Sequence, residues 1–286
     1  MIEPNRPFRW DLVRPDHFGS LVAGLPEPDL WFLDDLAECA AKVLARSEDG
    51  ELYFVGRSAD SVFDLLGGAL PDPGRLHLLP LSTASIDDWP YGRLHPAEVA
   101  QLRANLAAHG LSPALLARGA RPIVFADVVS TGRTVKQLLD ILRDWAADDR
   151  ADWPAVLRRI RIVGLTRRTH TSPNTHRWQQ HADWARELTI RNVSVESRLF
   201  SYLADYQPKL TRSFGRERWA AEDVREPARD DRTRRALAEA VAIAGAGRTA
   251  AVRERLARVL EREPAIAEPW LRDLVRRLLP TSRRTT

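Results

Sequence analysis

A chain of 286 residues with 44% hydrophobic composition can bury a core of its own, which excludes disorder over most of its length. No apolar run reaches the roughly eighteen residues of a membrane span, and the opening stretch MIEPNRPFRWDLVRP lacks a secretory h-region, so a cytoplasmic protein without a membrane partner is expected. The formal net charge is +4 and the sequence pI about 9.6, but acidic residues are interspersed almost one for one with basic ones. That is the pattern of a solvated mixed surface, and nucleic acid is not an expected partner.

Only Lys42, Lys136 and Lys209 are lysines among the 43 lysines and arginines, a bias that reads as the codon usage of a GC-rich genome. Cys39 is the single cysteine, which excludes an internal disulfide and a cysteine-rich zinc site; it falls on a helical apolar stripe and reads as a buried, inert thiol.

Residues 1–28 carry five prolines and little periodicity and are expected to form an extended arm. Phe32, Leu36, Cys39 and Val43 recur at helical spacing and predict a helix over 30–46. ELYFVGRS follows as a short strand ending at Gly56. ADSVFDLLGGAL reads as a helix with Ser58 or Asp60 as its N-cap and Gly67 and Gly68 as its stop. RLHLLPL is a second strand, its pairing confined near its end by Pro80.

The polar, turn-rich segment 82–96 predicts a mobile loop. Val99, Leu102 and Leu106 then mark a helix stopped at Gly110. RPIVFA is a continuous apolar strand of the kind buried on both faces of a parallel sheet. Its helix follows at once, with Val135, Leu138, Leu139, Leu142 and Trp145 on one stripe, and RIRIVGL and RNVSVESRLFSYL supply two more strands.

Strands alternating with helices predict an α/β fold, a Rossmann-like parallel sheet spanning 29–226. From 227 to 286 the chain reads as a small Arg-rich helical module with breaks at Gly245, Gly247, Pro264 and Pro269.

The stretch IVFADVVSTGRTV runs a buried strand into Asp127 and then into Ser130, Thr131, Gly132, Arg133 and Thr134. In an open parallel sheet, ligands sit beyond the carboxyl ends of the strands. Backbone N–H groups from Ser130 to Thr134 at the start of a helix would form a phosphate nest, and Asp127 beside it would accept hydrogen bonds from sugar hydroxyls. Two simpler readings stand beside this one. Ser130 or Thr131 could merely cap the helix, or Asp127 could be the nucleophile of a haloacid-dehalogenase-type phosphatase, although that motif's second carboxylate is replaced here by Val129.

The same stretch resembles the phosphoribosyl-pyrophosphate motif of type I phosphoribosyltransferases, in which an apolar strand leads to two acidic residues and a loop ending T-G-x-T. The resemblance implies a phosphoribosyltransferase-like domain in which Asp127 holds the ribose hydroxyls and Ser130, Thr131, Gly132, Arg133 and Thr134 wrap the 5-phosphate. It also implies that Gly56, Arg57 and Ser58 grip pyrophosphate, with Arg57 a catalytic cation, and that Tyr91 and Arg93 belong to a lid. Mg²⁺ would arrive with the ligand, and no metal ligand is expected directly from the protein. Ala126 stands where the motif's first acid would be, and Ser130 where 6-oxopurine enzymes carry an aspartate.

The segment after RIVGL holds His170, His176 and His181 in no zinc spacing, together with Asn174, Arg177, Trp178 and Gln179 as acceptor-site candidates for stacking on and reading a nucleobase-like group. Packing of Trp178 and Trp184 is the alternative. The expected activity is transfer of the phosphoribosyl group to a nitrogen acceptor with release of pyrophosphate. The alternatives are a non-catalytic regulator that binds phosphoribosyl pyrophosphate or a nucleotide, and a nucleic-acid-binding protein acting through its helical tail. Acceptor identity and a homodimeric state stay open.

Overall fold

The computed structural model describes residues 2–12, 15–83, 94–170 and 178–279. The first helix, α1 (Leu33–Ala45), carries Asp34 and Asp35 in its first turn and Lys42 in its last, which complements the helix dipole. It buries Leu36, Cys39, Val43 and Leu44 along one stripe. Strand β1 (Glu51–Val55) ends at Gly56, where φ is +71°. Helix α2 (Asp60–Ala69) and strand β2 (Leu76–Leu79) come next.

Helix α3 (Pro96–Ala108) opens with a capping box, the His95 side chain accepting from the Ala97 N–H while Glu98 returns to the His95 N–H. Helix α4 (Pro113–Arg118) precedes strand β3 (Ile123–Val128), which leads into the long helix α5 (Arg133–Asp148). Helix α6 (Trp153–Arg159), strand β4 (Ile160–Arg167) and strand β5 (Thr189–Val195) complete the sheet. Helix α7 (Ser197–Ser201), extended by a π-helical turn at Tyr202–Tyr206, is followed by an irregular stretch. Helices α8 (Asp231–Arg248), α9 (Ala250–Leu260) and α10 (Pro269–Leu278) end the described chain. Among the described residues no helix is long and apolar enough to cross a membrane.

All five strands run parallel in the order β2-β1-β3-β4-β5. The chain therefore steps outward from β1 to β2, then reverses to place β3 on the other side of β1. The expected α/β parallel sheet is present, with β2 at one edge and ending at Leu79, just before Pro80. Strand side chains alternate with period two. Leu52, Phe54, Val124, Ala126, Val163 and Leu165 enter one apolar cluster, and Tyr53, Val55, Phe125, Ile160 and Ile162 enter the other.

The first cluster lies against α1, α2, α7 and α8 to α10; the second lies against α3 to α6. The C-terminal helices thus share a core with the strands. Val252, Leu256, Leu260, Leu271 and Leu278 belong to the same buried cluster as Phe54 and Val163. Both faces of the sheet are covered, as all-parallel sheets demand.

Four glycines expected to stop helices do not. Gly67 and Gly68 lie inside α2, and Gly245 and Gly247 inside α8. A Cβ on Gly68 would collide with the Ala244 carbonyl, and one on Gly247 with the Leu65 carbonyl, so the two helices cross backbone to backbone where side chains are missing. The α2 N-cap is Ala59, with no side-chain cap, rather than Ser58 or Asp60. Asp60 is instead drawn into a buried ion pair.

The arm over residues 2–12 has no regular secondary structure and is bound along its length. The Asn5 N–H donates to Asn105 Oδ1 at 2.6 Å, the Phe8 N–H donates to the Val224 carbonyl at 2.6 Å, and Trp10 packs against α8. Arg9 donates to Asp60 at 2.9 Å and to Asp64 at 2.7 Å, both carboxylates being buried in α2.

Candidate functional site

With strand order 2-1-3-4-5, the point of reversal lies between β1 and β3, and the loops leaving their carboxyl ends diverge to open a crevice. The loop after β1 is Gly56, Arg57 and Ser58; the loop after β3 is Val129 to Gly132. The loops that carry these sequence candidates therefore leave neighbouring strands at the reversal, the place where open parallel sheets put their ligands.

The β3 ladder continues one residue past the strand, because the Val129 N–H donates to the Leu165 carbonyl at 2.8 Å. Ser130 and Thr131 are exposed and make no side-chain hydrogen bond among the described residues. The residue that caps α5 is Gly132, in the left-handed region with φ of +78°. Having no side chain, it leaves the first N–H groups of a 16-residue helix without a side-chain cap. The capping explanation for Ser130 and Thr131 thus has no counterpart in the structure. What remains is an exposed pair of hydroxyls beside a helix N-terminus with no side-chain cap, groups that can serve an anion.

Gly132 is needed here for a second reason. A Cβ at this position would lie 2.5 Å from Trp178 Cζ3 and 3.3 Å from Trp184 Cζ2. Trp178 is buried, packs with Val129, Ala182 and Ala185, and donates its indole N–H to Asn192 Oδ1 at 3.0 Å. Asn192 in turn donates to Gln179 Oε1 at 3.1 Å. Trp178 thus forms a wall against the 129–132 loop, and Asn192, itself bonded to Gln179, fixes the indole. Asn174 and Arg177, like the lid candidates Tyr91 and Arg93, lie outside the described residues. Arg133 reaches toward the start of the lid segment and donates to the Thr83 carbonyl at 3.4 Å.

Asp127 sits at the end of β3, 7% exposed and without an ion pair among the described residues. Burial pushes its pKa up to about 7, opposed by the hydrogen bond from the Val128 N–H and by the charge of Lys209. Its neighbour Ala126 points to the opposite face, fully buried beside Phe54 and Val163 in the apolar cluster. A carboxylate at 126 would enter that core and be costly to bury.

Lys209 was not among the sequence candidates. Its Nζ donates to the Leu203 carbonyl at 2.9 Å, Gln207 Oε1 at 3.0 Å and the Arg57 carbonyl at 3.3 Å. Burial lowers its pKa to about 8, and Asp60, Asp205 and Asp127 pull it back up while Arg57 lowers it further. Lys209 therefore ties the β1 loop to the neighbourhood of Asp127. The signal available in the sequence was its identity, since a chain this committed to arginine uses lysine only three times.

Arg57 is half-buried and donates to the Thr211 carbonyl at 2.9 Å. Burial lowers its pKa, opposed by Asp60, and the like charges of Arg232 and Arg218 lower it further. The site thus combines one buried carboxylate, one half-buried guanidinium, one lysine and an uncapped helix start. Among the described residues no group of three His, Cys, Asp or Glu side chains could hold a metal ion. No family model matches this chain, and no curated protein or solved structure matches it.

Proposed function

We propose that the chain is a phosphoribosyltransferase-like protein that binds phosphoribosyl pyrophosphate at the β1/β3 reversal and transfers its phosphoribosyl group to a nitrogen acceptor. The observation that carries this reading is the pairing, on one side of the switch point, of buried Asp127 with the Ser130–Thr134 helix start. A carboxylate for ribose hydroxyls beside a nest for phosphate is what a sugar phosphate requires.

In this reading the 5-phosphate lies against the N–H groups at the start of α5 and the hydroxyls of Ser130 and Thr131. Asp127 accepts from the ribose hydroxyls, and its carboxylate supports positive charge developing on the sugar. Arg57 and Lys209 face the departing pyrophosphate. The C1–O bond breaks with its electron pair on pyrophosphate, the acceptor nitrogen supplies the pair for the new C1–N bond, and the nitrogen's proton passes to solvent. Mg²⁺, carried on the phosphate oxygens of the ligand, would add countercharge to the leaving group. Most of the barrier reduction expected from these residues is positional and electrostatic.

A second reading has its own support. Ala126 removes one charge-assisted hydrogen bond to the ribose, worth about 1.5–3 kcal/mol, and its burial leaves no room to restore it. A non-catalytic protein that binds phosphoribosyl pyrophosphate and signals through its bound state fits that loss. Pyrophosphate release from phosphoribosyl pyrophosphate and Mg²⁺, measured across a panel of nucleobases, separates the two. An enzyme releases pyrophosphate with one acceptor and loses that activity in Asp127→Asn; a regulator binds and releases none.

A further inference from the structure

A cleft of about 590 Å³ lies beside α7 and the π-helical turn that extends it, past the carboxyl end of β5. Its size is that of a small-molecule site, and neither Asp127 nor any residue of the 129–134 loop lines it. The buried rings of Phe32 and Tyr202, stacked 3.9 Å apart, form its floor. Trp31 and Tyr206 line it with 45% and 77% of their surface exposed. Only four large hydrophobic side chains stand exposed among the described residues, and the two that are aromatic share this cleft.

The charged side chains that line the cleft are Asp29, Arg198 and Glu239. Glu239 is taken up by Tyr202, whose hydroxyl donates to its Oε1. Arg198 lies over the Trp31 ring, its Cζ 4.4 Å from the centroid, and its guanidinium makes no hydrogen bond or ion pair among the described residues. Exposed Asp29 has no partner among them either. Stacking on the indole fixes the plane of the guanidinium and leaves its N–H edge to a ligand. The cleft therefore offers aromatic surface, a fork of donors and an acceptor carboxylate, with one charge set against the other. Such a set does not call for an ion. It calls for a flat, neutral ring with acceptors on one edge and donors on the next.

We propose that this cleft binds an amino-lactam heterocycle, its ring packed against Tyr206 and the Arg198–Trp31 stack. Arg198 donates to the carbonyl oxygen and the neighbouring ring nitrogen, and Asp29 accepts from the ring N–H and the exocyclic amine. Guanine-type bases and pterins share this edge chemistry. The inference stands on the cleft and does not rest on the sugar-phosphate reading of the Asp127 site.

Isothermal titration calorimetry on the full chain, with guanosine and pterin as probes, tests it. The wild type is expected to bind both, and the tighter of the two names the ring system. Adenosine, which carries an amine where guanosine has its carbonyl, should bind at least about tenfold more weakly than guanosine. Arg198→Ala should weaken both probes by about tenfold or more, with an unchanged urea midpoint showing that the fold is intact. Inosine lacks the exocyclic amine, so it should bind more weakly than guanosine to the wild type and as tightly as guanosine to Asp29→Ala. The proposal is overturned if the wild type binds neither probe, if it binds adenosine as tightly as guanosine, or if Arg198→Ala binds both undiminished. It is equally overturned if Asp127→Asn abolishes guanosine binding while Arg198→Ala keeps it, because the ring then lies in the β1/β3 crevice. None of these results bears on whether phosphoribosyl pyrophosphate binds at Asp127.

Discussion

Replacing Asp127 with Asn should make the protein more stable, and by an amount that grows with pH. The carboxylate is buried, accepts one backbone N–H, and meets its nearest cation, Lys209, only at a distance too long for an ion pair. The rise of its pKa from 3.8 to about 7 means that the folded state holds the proton more tightly than the unfolded chain. Stability therefore falls as pH rises from about 4 to about 7, and the cost is complete above the folded pKa. At about 1.4 kcal/mol per pH unit, a rise of this size corresponds to about 4 kcal/mol, and relaxation around the charge reduces it to about 2–4 kcal/mol. An amide of the same shape keeps the Val128 hydrogen bond and carries no charge. Urea unfolding of both proteins from pH 5 to pH 8.5 should give curves that converge at the acid end and separate toward pH 8, with Asp127→Asn the more stable. The reasoning is refuted if Asp127→Asn is equally or less stable at pH 8, or if the difference does not change with pH.

Gly132→Ala forces a side chain into the left-handed region and against Trp178, so a loss of about 1–3 kcal/mol in urea unfolding is expected. Relief in the double variant Gly132→Ala/Trp178→Leu would confirm the contact as part of the cause. Gly68→Ala drives a methyl group into the Ala244 backbone; the α2–α8 crossing must spread, costing about 1–3 kcal/mol or more, with a lower thermal midpoint as the readout. Arg9→Met leaves Asp60 and Asp64 buried without their cation. The expected loss of about 3–5 kcal/mol is greatest at pH 8 and smaller at pH 5. Burial already holds Asp64 up to about 7 in spite of Arg9, and protonation relieves the unpaired charge. Chemical denaturation at the two pH values reads the difference.

The sheet was legible because each strand is a short apolar run and each following helix carries a stripe at helical spacing. The place of Asp127 at the end of a buried strand and the turn through Ser130 to Thr134 into a helix were legible for the same reason. Gly67, Gly68, Gly245 and Gly247 were misread as helix stops because a glycine that ends a helix and one that lets another helix approach look alike in one dimension. Only the crossing of α2 with α8 separates the two uses. The ion pair of Arg9 and the tie made by Lys209 were not legible because their partners lie 51 and 152 positions away, at Asp60 and Arg57. Trp178 was legible as a large ring in a loop after a strand, but its burial against Gly132 depends on how β3 and β4, paired side by side, bring the two loops together.

The most direct test is thermal unfolding with and without phosphoribosyl pyrophosphate and Mg²⁺, on the wild type and on Asp127→Asn. Ligand at about 100 times its dissociation constant should stabilise the wild type by roughly 2.7 kcal/mol, a clear upward shift of the midpoint, and should leave Asp127→Asn where it was. No shift in the wild type, or an equal shift in both, would contradict the assignment of the β1/β3 crevice to a sugar phosphate.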